Sequence, residues 1–322
     1  MNLELFLTQS SPLLDVRSPS EFLEGHIPGA ISFPLFTDEE RAIVGTLYKK
    51  EGKEVAIKRG LQFVGPKLSS FVEEAELLAG ETKQLRLYCA RGGMRSSSLS
   101  WLLTTAGFET TLLQGGYKSF RKWVLERFSQ KYSLRVLGGF TGTGKTDLLL
   151  KLKEKDFQVI DLEALAAHRG SSFGQLEKKI QPSTEHFENI LARQLFLCDP
   201  EKPLWIEDES RMIGMCCVPQ DLWEQMTAAP FFWMEARKEE RIGRLVESYG
   251  HYPVEDLIAS LRRLTKKMGL ERVENIVKSI QSGDMKTAVS AILEYYDQAY
   301  LYSSLKRHPN RMELPSEIRL SL

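Results

Sequence analysis

The sequence predicts an α/β protein with an N-terminal parallel-sheet domain, a C-terminal α/β domain and a helical C-terminal extension. Three observations carry that reading. Residues 85–88 form a short alternating strand that runs into Cys89, and the glycines Gly92 and Gly93 precede an apolar-periodic helix around Leu99. Residues 134–137 repeat the arrangement, a strand entering a glycine loop that ends at Gly144-Lys145-Thr146 and opens a second helix. From Val254 onward the apolar residues recur at helical spacing, enough for three or four helices.

The chain has 322 residues, length for about two domains. The boundary falls between 1–125 and 126–322. No apolar run reaches the ~18 residues of a membrane span, and no basic segment followed by an apolar run opens the chain, so a soluble cytoplasmic protein is expected. Four cysteines, Cys89, Cys198, Cys216 and Cys217, show neither metal-ligand spacing nor the density of a disulfide scaffold, and the adjacent pair reads as core. Formal net charge is zero, which excludes a strong global attraction to nucleic acid and leaves any such binding to local patches.

In the first domain, residues 13–17 read as a strand ending in Asp15 and Arg17, and Ser18-Pro19-Ser20-Glu21 opens a helix. The turn signals of the segment from Gly25-His26-Ile27-Pro28-Gly29 to Pro34 enclose a second short strand at Ile31 to Phe33. His26 reads as a turn residue satisfying local hydrogen bonds rather than as a general base, and Asp15 as an ion-pair or capping residue. The loop Cys89-Ala90-Arg91-Gly92-Gly93-Met94-Arg95 gathers two arginines, loop amides and a helix N-terminus around one thiol. All of these favour a thiolate and an anion beside it, so Cys89, Arg91 and Arg95 are the candidate catalytic residues. The insertion at 36–70 reads as helical and mixed in charge, a solvated cover more than a substrate contact.

These motifs, with Leu113-Gln114-Gly115-Gly116-Tyr117 closing the stretch, resemble the rhodanese family from about residue 4 to 125. That resemblance implies a sulfur- or chalcogen-loading cysteine. Arg95 lies six residues after Cys89, one more than in many single-domain rhodaneses, and this spacing also fits a rhodanese-fold cysteine phosphatase.

At the junction, Lys118, Arg121, Lys122 and Arg127 share a helix whose other face carries Phe120, Trp123, Val124 and Phe128. The basic face reads equally as a track for nucleic-acid phosphates or as an ordinary solvated face. In the second domain, Gly139 to Thr146 satisfies the P-loop pattern between a strand and a helix. Gly139, Gly142, Gly144, Lys145 and Thr146 are its candidate phosphate-binding residues, and Arg169 in the following loop is another. Thr146 and Asp208, the latter at the end of strand 203–208 with Glu207 beside it, are the candidate ligands of a Mg ion. Arg237, Arg241 and Arg244 lie at helical spacing and are also available to a phosphate, whereas Arg262, Arg263, Lys266 and Lys267 read as a solvated face.

The two domains in one chain resemble the tRNA 2-selenouridine synthase family. Further matching segments include Pro34 to Thr46, Asp161 to Glu163, His168 to Gly174 and Glu207 to Gly214. That resemblance implies a transferase that replaces the sulfur of wobble 2-thiouridine with selenium from selenophosphate, through an S-geranyl intermediate made from geranyl diphosphate. It implies the tRNA anticodon arm as partner. A reading from another class remains, an RNA-binding NTPase with a vestigial first domain.

Overall fold

Short runs of branched and aromatic residues bounded by turn formers make the strands, and the longer 3.6-periodic runs make the helices that cover them. A computed structural model describes residues 2–168, 173, 176, 180–315 and 318. Its contacts divide the chain into two units, 1–127 and 128–322.

The first unit runs α1 (Leu3–Thr8), β1 (Leu13–Asp15), α2 (Pro19–Glu24), β2 (Ile31–Ser32), α3 (Asp38–Lys50), α4 (Lys53–Val64), α5 (Leu68–Ala79), β3 (Gln84–Tyr88), α6 (Met94–Thr105), β4 (Glu109–Leu112) and α7 (Gly116–Phe128). Its four strands lie parallel in the order β2-β1-β3-β4. Leu14, Leu85 and Leu87 from the strands and Val16 just after β1 pack with Leu99, Leu103 and Phe71 from the helices. The chain leaves β1 in one direction and returns on its other side at β3, so the C-terminal ends of β1 and β3 border the crevice where such sheets bind ligands. Cys89 follows β3 there.

A buried ion pair ties this crevice together. Arg17 donates to Asp15 at 2.6 Å and to Gly25 O at 2.6 Å, and its guanidinium lies 3.8 Å from the Tyr117 ring centroid. Tyr88 donates its hydroxyl to Asp15 and accepts from the Ile27 amide. Asp15 is therefore an ion-pair residue, as its position suggests. His26 stacks on Phe22 at 3.8 Å and bonds the Phe22 carbonyl through Nδ1, a local role.

The insertion is helical. Thr37 opens α3 by accepting from Glu40 N–H, and the Glu40 carboxylate accepts from Thr37 N–H in return. Asp38 accepts from the Ser20 hydroxyl at 2.6 Å, which docks the start of α3 on α2.

The second unit runs β5 (Leu134–Gly138), α8 (Lys145–Glu154), β6 (Gln158–Ile160), α9 (Leu162–Leu165), α10 (Thr184–Leu197), β7 (Leu204–Glu207), β8 (Met212–Ile213), β9 (Cys216–Cys217), α11 (Gln220–Ala228), β10 (Phe231–Trp233), α12 (Lys238–Tyr249), α13 (Val254–Arg262), α14 (Thr265–Met268), α15 (Leu270–Gln281), α16 (Met285–Arg307) and β11 (Met312–Glu313). Five strands lie parallel in the order β11-β10-β5-β7-β6, and β8 and β9 form a separate antiparallel hairpin. Strand order reverses at β5, which places the loop after β5 at the ligand crevice. Leu137, Trp205 and Phe232 from the sheet pack with Leu148, Leu149 and Leu152 from α8. A separate helical core joins Leu257, Leu261, Val273, Ile276, Val277 and Ala288.

The extension after Val254 is not all helical. Residues 312–313 return as an edge strand beside β10, too short for a two-residue period to announce. In the hairpin, Cys216 is buried and its thiol is pushed up to about 11 by that burial, whereas Cys217 is partly exposed. Among the described residues no helix is long and apolar enough to cross a membrane.

Removing Arg17 would leave Asp15 charged and unpaired in a buried position. Arg17→Ala is expected to lower unfolding free energy by about 3–5 kcal/mol in urea melts.

Candidate active sites

Cys89 is 3 % exposed at the end of β3, and its sulfur is surrounded by donors. Gly93 N–H donates to Sγ at 3.1 Å and the Ser96 hydroxyl donates at 3.1 Å. Burial opposes ionisation of the thiol. The Ser96 hydroxyl and the amides of Ser96, Arg91 and Gly93 outweigh it, so the pKa falls below its ordinary value.

The amides face the sulfur because the loop carbonyls are used elsewhere. Tyr117 N–H donates to Cys89 O at 2.8 Å and Lys118 N–H donates to Ala90 O at 2.9 Å, both from the first turn of α7. Gly116 stands at φ +60°, and a Cβ there would overlap the Cys89 carbonyl oxygen and the Gly92 nitrogen. Only glycine permits that approach.

The arginines of the loop divide. Arg91 is exposed, and among the described residues its guanidinium makes no ion pair. Arg95 is held by Glu21 at 2.6 Å rather than left open toward an anion, and Arg41 from α3 approaches the same carboxylate at 3.7 Å. Burial works against the charge on Glu21, but Arg95 and the Ser18 amide outweigh it and bring its pKa down to about 2. Nothing in the loop's own residues points to Glu21. Its signal, a carboxylate on the helix after Arg17, has no sequence proximity to Arg95.

In the second unit the glycine loop follows β5 and ends at α8. Gly139, Gly142 and Gly144 stand at φ +150°, +80° and +92°. Lys145 Nζ donates to Gly139 O at 2.9 Å and lies 3.4 Å from Glu207. The Thr146 hydroxyl is 3.4 Å from the same carboxylate. Glu207, not Asp208, is therefore the strand-end carboxylate that meets the loop. Asp208 accepts from Tyr300 at 2.7 Å and from Arg307 at 2.8 Å, with His308 Nε2 at 3.5 Å. Successive residues of a strand point to opposite faces, so only one of the pair can face Lys145. Asp208, expected beside Thr146, instead tethers the end of α16 in this structure.

Glu163, Glu207 and Glu209 bring carboxylate oxygens within 4.8 Å of one another. Burial raises the pKa of Glu207 against the pull of Lys145, and burial with Glu163 and Glu207 raises Glu209. An all-oxygen set that includes the Thr146 hydroxyl suits a hard divalent cation, which would relieve this crowding of carboxylates. Asp161 caps α9, accepting from Ala164 N–H at 2.9 Å. Arg169 lies outside the described residues.

Of the junction residues, Lys118 and Lys122 are exposed and Arg121 is partly exposed. Arg127 is tied to Glu4 and stacks over Trp123 at 4.9 Å, so it belongs to the packing of α1 on α7 rather than to an open basic face.

Two measurements check the thiol site. Because the folded thiol ionises below its ordinary pKa, Ser96→Ala is expected to move the pH midpoint of iodoacetamide alkylation of Cys89 upward, by about one unit for one lost hydrogen bond to a charge. Gly116→Ala is expected to lower stability by about 2 kcal/mol or more, read by urea unfolding.

Comparison with known proteins follows the same division of the chain. Residues 3–122 match the rhodanese-like domain, and residues 132–315 match the tRNA 2-selenouridine synthase AAA domain. The tRNA 2-selenouridine synthase of Aeromonas salmonicida is 37% identical, over 90% of this chain and 86% of its own. That of Bdellovibrio bacteriovorus is 34% identical over 93% of this chain and 90% of its own. That of Hahella chejuensis is 37% identical over 95% of this chain and 80% of its own. With both domains matched and relatives alike over nearly the whole length, the chain belongs to the tRNA 2-selenouridine synthase family.

Proposed function

We propose that the chain converts wobble 2-thiouridine of tRNA to 2-selenouridine in two steps, a geranylation and a selenation. The observation that carries this reading is the pairing, in one chain, of a thiol cradled by amides with a glycine loop whose Lys145 and Thr146 meet Glu207. The first arrangement suits an anionic chalcogen donor, and the second suits a diphosphate.

In the first step the thiouridine sulfur attacks C1 of geranyl diphosphate. A C–S bond forms, the C–O bond breaks, the N3 proton of the base passes to solvent and diphosphate leaves. The amides of residues 142–146 and Lys145 take up the charge of the leaving diphosphate. Thr146, Glu207 and the neighbouring Glu163 and Glu209 would hold a Mg ion, which when bound neutralises phosphate charge. In the second step a C–Se bond forms at C2 of the base, the C–S bond to geranylthiol breaks, and water cleaves the P–Se bond to give phosphate. The Cys89 thiolate takes a proton from that water and gives it to the departing geranylthiolate. Arg91 and the loop amides gather the selenophosphate, and Arg95, anchored on Glu21, borders the same loop.

For tRNA, the exposed Lys118 and Lys122 with Arg121 offer phosphate contacts to the anticodon arm. A cytoplasmic location follows from that substrate.

Mass spectrometry of nucleosides from tRNA incubated with selenophosphate and geranyl diphosphate separates the steps. Cys89→Ala is expected to abolish 2-selenouridine while S-geranyl-2-thiouridine still forms. Lys145→Ala is expected to reduce geranylation by at least about tenfold. Equal loss of both products in Cys89→Ala would contradict the division of labour.

A further inference from the structure

Three arginines of α12 and its N-cap meet different fates. Arg237 is exposed and paired with Glu240 at 2.5 Å. Arg241 is 4 % exposed. It binds Asp297 through both terminal nitrogens, donates from Nε to Thr141 O at 2.8 Å and lies 4.9 Å from the Phe140 ring centroid. It fixes the register of α12 against the glycine loop. Arg244 follows three residues later on the same helix face. Its Nη1 donates to Thr143 O at 2.6 Å and to Gly142 O at 3.3 Å.

Arg244 is exposed, and among the described residues it makes no ion pair. A Cβ at Gly144 would lie 3.2 Å from its Nη1 and 3.6 Å from Asp147 Oδ2, so the guanidinium stands at the segment whose amides lead into α8. Its hydrogen bonds go to main-chain carbonyls, which do not neutralise its charge, and Glu240, whose carboxylate also feels that charge, is paired with Arg237. A phosphate oxygen pair offers a guanidinium both geometry and charge, and such bonds are roughly twice as strong as neutral ones.

We propose that Arg244 is a phosphate-binding residue, leaving the Gly142 and Thr143 carbonyls to close over a diphosphate seated on the loop amides. This rests on the reading that the loop after β5 binds a diphosphate, and adds a cationic contact from α12 to those of Lys145. Arg241 keeps the helix in place while Arg244 moves, because only Arg241 is locked by a carboxylate.

The test is calorimetric titration of the full chain with inorganic pyrophosphate in Mg-containing buffer, alongside ligand-free melting. Arg244→Ala is expected to weaken binding by about 10- to 100-fold with an unchanged melting temperature, and Arg244→Lys to recover little, because an ammonium cannot bind two oxygens in one plane. Wild-type affinity in Arg244→Ala, together with lost binding in Lys145→Ala, would overturn the proposal and leave the diphosphate reading standing. A lowered ligand-free melting temperature restored by Arg244→Lys together with binding would also overturn it, in favour of a loop-fastening role. Absence of pyrophosphate binding in the wild type would instead remove the diphosphate reading itself.

Discussion

Two hydrogen bonds decide which way the Cys89 loop faces. The amides of Tyr117 and Lys118 take the carbonyls of Cys89 and Ala90, at 2.8 and 2.9 Å, and the loop is left with its N–H groups turned toward the sulfur. The helix that supplies them begins at Gly116, where any side chain would collide with the loop it holds. Arg17 reinforces the arrangement from the other side. It joins Asp15, the Gly25 carbonyl and the Tyr117 ring, so the end of β1, the end of α2 and the start of α7 are tied together. A thiolate is stabilised here by one hydroxyl and by main-chain dipoles, with Arg95 committed to Glu21.

The glycine loop of the second unit is held by a comparable use of a carbonyl. Thr141 O accepts from Arg241, which Asp297 fixes in turn. Tyr300 accepts from the Gly139 amide at 3.2 Å and donates to Asp208, so α16 reaches both the first glycine of the loop and the strand end beside it. Asp208 is held charged by this setting. Burial works against it, but His308, Arg307 and Tyr300 outweigh the cost and lower its pKa. The C-terminal helices thus belong to the loop's support, which explains why the unit extends far beyond its sheet.

The strand, loop and helix at each site were legible because strand period, paired glycines and helical spacing coincide over a few residues. The parallel sheets and the helical insertion followed from the same local signals. What stayed hidden depends on long-range choices. Glu207 and Asp208 are chemically equivalent neighbours, and which one faces Lys145 depends on the face of β7 that α8 covers. Arg95 has the spacing of an anion ligand, yet a carboxylate 74 residues earlier captures it. Arg127 has the composition of a nucleic-acid contact, yet Glu4 folds back onto it. Amphipathic spacing reveals which face is polar, whereas an ion pair between distant segments leaves no periodic trace.

The proposed chemistry requires two separate anion sites, one at the Cys89 sulfur and one at Lys145. Its most direct test is calorimetric titration of selenophosphate into the chain with and without saturating pyrophosphate. Unchanged selenophosphate affinity, lost in Cys89-loop variants but not in Lys145→Ala, is the predicted result. Displacement of selenophosphate by pyrophosphate, with both bindings lost in Lys145→Ala, would contradict it.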